Sequence, residues 1–201
     1  KLLQSFLGQK IKLKEPQFDP DCLTLMDFWV PQNFHTQFVY TLPDSADVAL
    51  VEFTRFGTEA ISHPDARAAL KAHVTDKYGE YTILEEEYGV IPMSTEPMTS
   101  EPLPGVVHIG TRGNAVKPST GYAFETMFEH AKALCESFDN HQPPIQRKAR
   151  FQFYDRLLVD MLERNPTQGK SIFLKLFKHQ PVANVMRFLH ERTSMVEEAK
   201  I

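Results

Sequence analysis

The run Asp47-Val-Ala-Leu-Val-Glu-Phe-Thr54 constrains this chain more than any other stretch. It is rich in β-forming residues and reads as a strand, in which successive side chains point to opposite faces. Val48, Leu50, Glu52 and Thr54 share one face, and Ala49, Val51 and Phe53 share the other. A second β-rich run, Gln37–Leu42, precedes it across Pro43-Asp44-Ser45-Ala46. Two such runs joined by four residues with Pro, Asp and Ser predict a hairpin. Cys22–Val30 is a further β-rich segment. Ser62-His63-Pro64-Asp65 then places a capping hydroxyl, an early proline and a carboxylate ahead of Ala66–Ala72, which predicts a helix start. Tyr81–Leu84 resumes extended structure and leads into Glu85–Met93.

Beyond residue 93 the pattern changes. Ser94–Pro104 is rich in Pro, Ser, Thr and Glu and reads as a loop. Val106–Gly110 is expected as a short apolar strand, and Gly110–Gly121 as a glycine-bearing connection. Phe124, Met127, Phe128, Ala131, Leu134, Cys135 and Phe138 recur at helical spacing. Tyr154, Leu157, Leu158, Met161 and Leu162 form another such set, as do Val182, Val185, Met186 and Leu189. The fold class is therefore α+β, with a sheet-rich front and a helical back.

At 201 residues the chain is one large domain or two small ones. Its 42% hydrophobic and 24% charged residues exclude collagen-like and disordered classes. A net charge of -4 supplies no global basic field for a nucleic-acid backbone, so no nucleic-acid partner is expected. Cys22 and Cys135 stand in no metal-ligand spacing, the eight histidines are scattered, and no metal is expected. No apolar run approaches the roughly 20 residues of a bilayer span. The chain opens on Lys1 within what reads as ordered sequence, with no signal peptide before it, as expected for part of something longer.

Two places in the chain point to chemistry. Glu52 follows two aliphatic residues on its face of the strand. If that face is buried, its carboxyl holds a proton at neutral pH; if the face meets water, Glu52 is an ordinary strand-end carboxylate. Glu85-Glu86-Glu87 poses the same question, and alternation turns Glu86 away from its neighbours. The second place is Gly110–Phe124. A helix starting near Gly121, capped by Ser119 and Thr120, presents free backbone N–H groups to an anion or an electron-rich ring edge; the alternative is an ordinary capped helix. No GxSxG elbow, GxGxxG or Walker loop is present.

Four segments carry a resemblance that spans Phe6 to about Arg192. They are Phe38–Thr54, Glu87-Tyr-Gly-Val-Ile-Pro-Met93, Gly113-Asn-Ala-Val-Lys-Pro-Ser-Thr-Gly-Tyr122, and Phe153–Leu157 together with Arg187–Leu189. In this order they resemble the lycopene cyclase family, flavoproteins that close the ends of linear carotenoids into rings. Two departures stand out: Phe53 replaces the second glutamate of the family's acidic strand, and Lys117 replaces the histidine before Pro-Ser-Thr-Gly-Tyr. The family's amino-terminal dinucleotide-binding strand–turn–helix has no counterpart here.

The resemblance implies a substrate-binding domain over 1–104 built on a mixed or antiparallel sheet. It further implies a strand–turn–helix return to the FAD domain over 105–140 and a carboxy-terminal helical segment over 141–201. It implies proton-initiated cyclisation of lycopene to β-rings with reduced FAD and no net redox change, NAD(P)H being the reductant. Glu52 is then the general acid. Gly113, Pro118, Thr120, Gly121 and Tyr122 bind the flavin, and Trp29, Tyr40, Phe53 and Glu87 bind the carotenoid, the rings adding cation–π stabilisation, although alternation disfavours Phe53. The expected location is cytoplasmic, peripheral to a membrane surface. Two other readings stay open: a flavin-dependent monooxygenase or isoprenoid reductase of the same architecture, and a non-catalytic lipid-binding fragment. The last rests on Ile172–Phe177 with Lys170, Lys175 and Lys178, which reads either as an interfacial segment or as a core helix.

Overall fold

The structure is a computed structural model that describes residues 1–96, 103, 106–136 and 147–200. Five strands, Leu2–Leu13 (β1), Thr24–Asp27 (β2), Thr36–Pro43 (β3), Val48–Gly57 (β4) and Tyr81–Met93 (β5), form one sheet in the order β2-β3-β4-β1-β5. The helices are His63–Tyr78 (α1), Phe124–Glu136 (α2), Ala149–Arg164 (α3), Gly169–His179 (α4), Val182–Leu189 (α5) and Met195–Glu198 (α6). The fold is α+β, in two compact units: residues 1–92 with 161–180, and residues 93–160 with 181–201.

In the first unit the hairpin forms as the turn chemistry dictates. β3 and β4 pair antiparallel from Thr36 opposite Phe56 to Pro43 opposite Ala49, and Ser45 Oγ accepts the Val48 N–H at 3.1 Å to hold the turn. β4 pairs on its other side with β1, again antiparallel, from Leu3 opposite Gly57 to Lys12 opposite Val48. β1 is the strand that local pattern does not announce. α1 begins where expected: Ser62 Oγ accepts the Asp65 N–H at 3.3 Å, and Gly79, at φ 82°, ends the helix.

α1 covers one face of the sheet. Ala66, Leu70 and Val74 pack with Leu7, Ile11, Val39, Ala49, Val51 and Phe53 in one buried cluster. At about 1.5–3 kcal/mol for each large apolar side chain, this cluster is the unit's main stabilising term. Glu86 of β5 turns toward this side, where Gln9 Nε2 (2.5 Å), Arg67 Nη2 (2.5 Å) and His63 Nε2 (3.1 Å) meet its carboxylate. These partners, Arg67 first, pull its pKa down to about 2.

α4 covers part of the opposite face. Phe173 is buried, with ring centroids 6.3 Å from Phe56 and 6.4 Å from Phe28; Phe38 stands 5.6 Å from both of those rings. Within the Ile172–Phe177 helix Phe173 thus packs inside the unit, as in a core helix, while Leu174 on another side of it is exposed. Gly169 sits where a side chain has no room: an added Cβ would lie 2.1 Å from Thr36 Oγ1 and 2.7 Å from Leu162 Cδ2. The Thr36 hydroxyl donates to Pro166 C=O at 2.6 Å, so it is not free to turn aside.

Three other expectations change. β2 is only four residues long, and Phe28, Trp29 and Val30 lie outside it. Val106–Gly110 forms no strand; Val106, Val107 and Ile109 are exposed, and the chain closes into turns through Gly113 N–H to Ile109 C=O and Ala115 N–H to Gly110 C=O. A strand without a neighbour has no partner for its peptide groups. In α3 the buried stripe is Phe151, Asp155, Val159 and Leu162 rather than the set through Tyr154 and Leu157. α2 is amphipathic as expected, but none of its residues is buried; Phe138 and most of the 94–104 loop lie outside the described residues.

Two outcomes are expected in denaturant unfolding. Gly169→Ala lowers stability by about 1–3 kcal/mol, because overpacking meets a hydroxyl already engaged. Glu86→Gln removes an acid-dependent term. A carboxylate with a depressed folded pKa stabilises above its unfolded value and loses that contribution as pH falls through the folded one. Between about pH 4.5 and 2 the Gln variant should therefore lose stability less steeply than wild type.

Candidate functional site

Alternation on β4 sends Ala49, Val51 and Phe53 into the α1 core, so the carboxyl of Glu52 emerges on the opposite face, alongside Leu50 and Thr54. The face carrying Glu52 is the less covered one: Val48, Leu50 and Glu52 are half-buried, against near-complete burial of Ala49 and Val51. Glu52 pairs across the ladder with Tyr40 on β3 and Gly8 on β1. Its Oε1 accepts the Thr54 hydroxyl at 3.0 Å. Partial burial raises its pKa above the ordinary carboxyl value; the Thr54 hydrogen bond opposes this and the charge of Glu87 adds to it.

The expected substrate contacts separate. Tyr40 is directly opposite Glu52, with its ring 5.1 Å from Phe38 in a T-shaped contact. Glu87 leans over Gly8 on the same face. Phe53 is 1% exposed within the α1 core, so it cannot line the Glu52 face; the alternation that buries it is the reason. Trp29 lies on the loop after β2, 82% exposed, and is not on a strand with the others.

The second unit holds the turn 117–122. Lys117 N–H donates to Tyr122 C=O at 2.8 Å, Gly121 N–H donates to Lys117 C=O at 2.8 Å, and Tyr122 N–H donates to Thr120 Oγ1 at 3.2 Å. Gly121 takes φ 74°, a left-handed conformation that glycine adopts without a Cβ clash. Gly113 is likewise in a place no side chain fits, since a Cβ would sit 2.6 Å from His108 C=O. Pro118 is half-buried within the turn. The expected caps are corrected here: α2 starts at Phe124, three residues past Gly121, Thr120 closes its own turn, and Ser119 donates its hydroxyl to Asp155 Oδ1 at 2.5 Å.

Behind that turn lies a buried charge cluster. Lys117 Nζ reaches Asp155 Oδ1 at 2.8 Å and Glu191 Oε1 at 3.1 Å, and Arg147 pairs with both carboxylates. Burial works against the Arg147 cation, but Glu191 and Asp155 outweigh it and hold its pKa above the ordinary value. Two cations and two anions leave the cluster neutral. Lys117, where the family pattern has histidine, is thus a structural cation. Arg147, Asp155 and Glu191 went unread because their spacing follows no local period; Asp155 interrupting an apolar helix stripe was the available signal.

A cavity of about 400 Å³ opens beside this cluster, lined by Lys117, Tyr122, Glu125, Arg147, His190 and the first turn of α2. The leading amides of a helix have no intrahelical acceptor, and its N-terminus carries partial positive charge. Lys117 and Arg147 are matched there by Asp155 and Glu191, and Glu125 lines the cavity too, so what it offers an electron-rich planar edge is the amides of that first turn. Among the described residues no His, Cys, Asp or Glu group is placed to hold a metal, and no helix is long and apolar enough to cross a membrane.

The whole chain, residues 1–201, matches the family model described as Lycopene cyclase protein. It is 32% identical to a lycopene beta-cyclase of Pseudescherichia vulneris and 27% identical to a lycopene beta-cyclase of a Paracoccus species, each over 98% of this chain and 55% of the relative. The chain therefore spans about half the length of these curated relatives. A geranylgeranyl bacteriochlorophyll reductase-like protein of Thermoplasma acidophilum aligns with 83% of this chain and 41% of its own, at 17% identity and a TM-score of 0.47.

Asp155→Asn is expected to lower unfolding stability by about 3–5 kcal/mol, since it leaves two buried cations facing one carboxylate. Chemical denaturation of the variant beside wild type measures it.

Proposed function

The chain belongs to the lycopene cyclase family, and from that premise we propose that it works in a carotenoid β-cyclase, with Glu52 as the acid that starts ring closure on lycopene. The observation that carries this reading is a carboxyl on a half-buried sheet face whose surroundings favour the protonated form.

Cyclising an acyclic polyene end begins with a proton added to the terminal alkene, which leaves a carbocation. Ring closure moves that charge into the new ring, and loss of one ring proton restores neutrality, so product and substrate are isomers. Glu52 donates the first proton from its carboxyl O–H. Tyr40, directly across the ladder, presents an aromatic ring near the developing charge, and Phe38 packs edge-on against it. Thr54 orients the carboxyl through its hydroxyl.

The family resemblance supports FAD as the cofactor. The residues of the second unit fit an electron-rich flavin edge: the first turn of α2, Tyr122 and the close-packed Gly113 and Gly121 would hold it, with Pro118 and Thr120 shaping the turn. Bound in reduced form, with NAD(P)H as reductant, the flavin supplies negative charge that stabilises a cation. The substrate is apolar, so we place the protein at the cytoplasmic side of a membrane surface; the exposed Trp29 and Phe34 are suited to such contact.

In the full-length protein, Glu52→Gln should abolish ring formation in cells that accumulate lycopene, with flavin binding retained. Its stability at neutral pH should not fall. A carboxyl whose folded pKa is raised loses stability as pH climbs from its unfolded value through its folded one, and the amide escapes that loss. Pigment analysis and thermal unfolding read the two results. Wild-type pigment levels from the variant would remove Glu52 from the reaction.

A further inference from the structure

The sheet brings a second carboxylate to Glu52 by leaving a side chain out. β4, β1 and β5 are adjacent, in that order. Glu52 on β4 is directly opposite Gly8 on β1. A Cβ built on Gly8 would lie 3.3 Å from Glu87 Cγ and 3.4 Å from Glu87 Oε1, so the β5 side chain leans over the place where a β1 side chain would stand. Adjacent strands are about 4.8 Å apart. In an ordinary row across three strands, the middle side chain keeps the outer two apart. Here the place is taken by Glu87 from β5 and by Leu50 Cδ1, 3.5 Å away, from β4, so the Glu87 carboxyl reaches over β1 into the row that Glu52 shares.

From this geometry we infer that Glu87 is a positioning residue that keeps the proton on Glu52, acting through charge across the Gly8 gap rather than by touching the substrate. The inference rests on the reading of Glu52 as the acid and deepens it. Glu87 is an exposed carboxylate. A negative charge beside Glu52 penalises a second one, which favours the neutral acid. The raised pKa of Glu52 includes a contribution of this sign from Glu87.

The other groups on this face do not cancel the effect. Lys10, two residues from Gly8 on β1, is held by Asp44 at 2.7 Å, and Glu85 on β5 adds charge of the same sign as Glu87. Tyr40 and Thr54 bring hydroxyl groups to this face. Glu86 faces the other way, committed to Arg67.

The test follows the titration of Glu52 itself by carbon NMR of carboxyl-labelled glutamate in the full-length protein, the resonance being assigned by its loss in Glu52→Gln. Glu87→Gln should move the Glu52 midpoint down by about half a pH unit, the effect of one charge acting through water across a few ångströms. Glu87→Lys should move it further down, and the alkaline limb of turnover should shift with it in both variants. An unmoved midpoint, or equal shifts for Gln and Lys, would overturn the inference, since a change of shape alone does not distinguish the two charges. Cyclisation persisting in Glu52→Gln would defeat the acid assignment and leave the NMR result standing, so the two failures are separable.

Discussion

The side-to-side alternation of β4 fixes what the first unit can do. Ala49, Val51 and Phe53 are claimed by α1, so everything of the opposite parity is held on the other face with a rigidity that no loop could provide. β4 is paired on both edges, to β3 and to β1, and the registers on both sides set which residues share a row with Glu52. A slip of one residue would send the carboxyl into the hydrocarbon core and Phe53 out to the face that Glu52 now occupies. The placement of the Glu52 carboxyl therefore depends on the packing of residues on the other face of the strand.

Local signals were legible in the sequence where local chemistry decides the structure. The hairpin through Pro43–Ala46 and the capped start at Ser62 require only near neighbours, and both form. Which face of β4 is deeper could not be read from it, because Val48 and Leu50 are as apolar as Ala49 and Val51. The position of α1, built from residues 63–78, settles the matter. β1 escaped notice for a related reason: Gln9 interrupts its inward-facing apolar set, yet is buried because Glu86, 77 residues away, accepts its amide at 2.5 Å. Val106–Gly110 shows the converse, a β-rich string that stays irregular, with no strand among the described residues pairing with it.

The second unit was legible in part. The glycines of the 113–122 segment answer needs of the chain itself: Gly121 takes a left-handed φ and Gly113 packs against the His108 carbonyl. The caps were misjudged because Ser119 has a stronger acceptor in Asp155 than any helix amide offers. Lys117, Arg147, Asp155 and Glu191 come from four separate stretches, and only the folded chain makes them a neutral set. Burying four charges is tolerable because each faces opposite charge at short range, and removing one member is correspondingly costly.

Gly89 on β5 carries a consequence for the relief of the sheet. A Cβ there would lie 2.4 Å from Phe6 Cζ, so the Phe6 ring reclines across the neighbouring strand instead of standing upright. Glu87 of β5 lies over Gly8 of β1 in the same manner, so each strand lays a side chain across the other's glycine, a reciprocal overlap that ties the two together through packing as well as through the ladder.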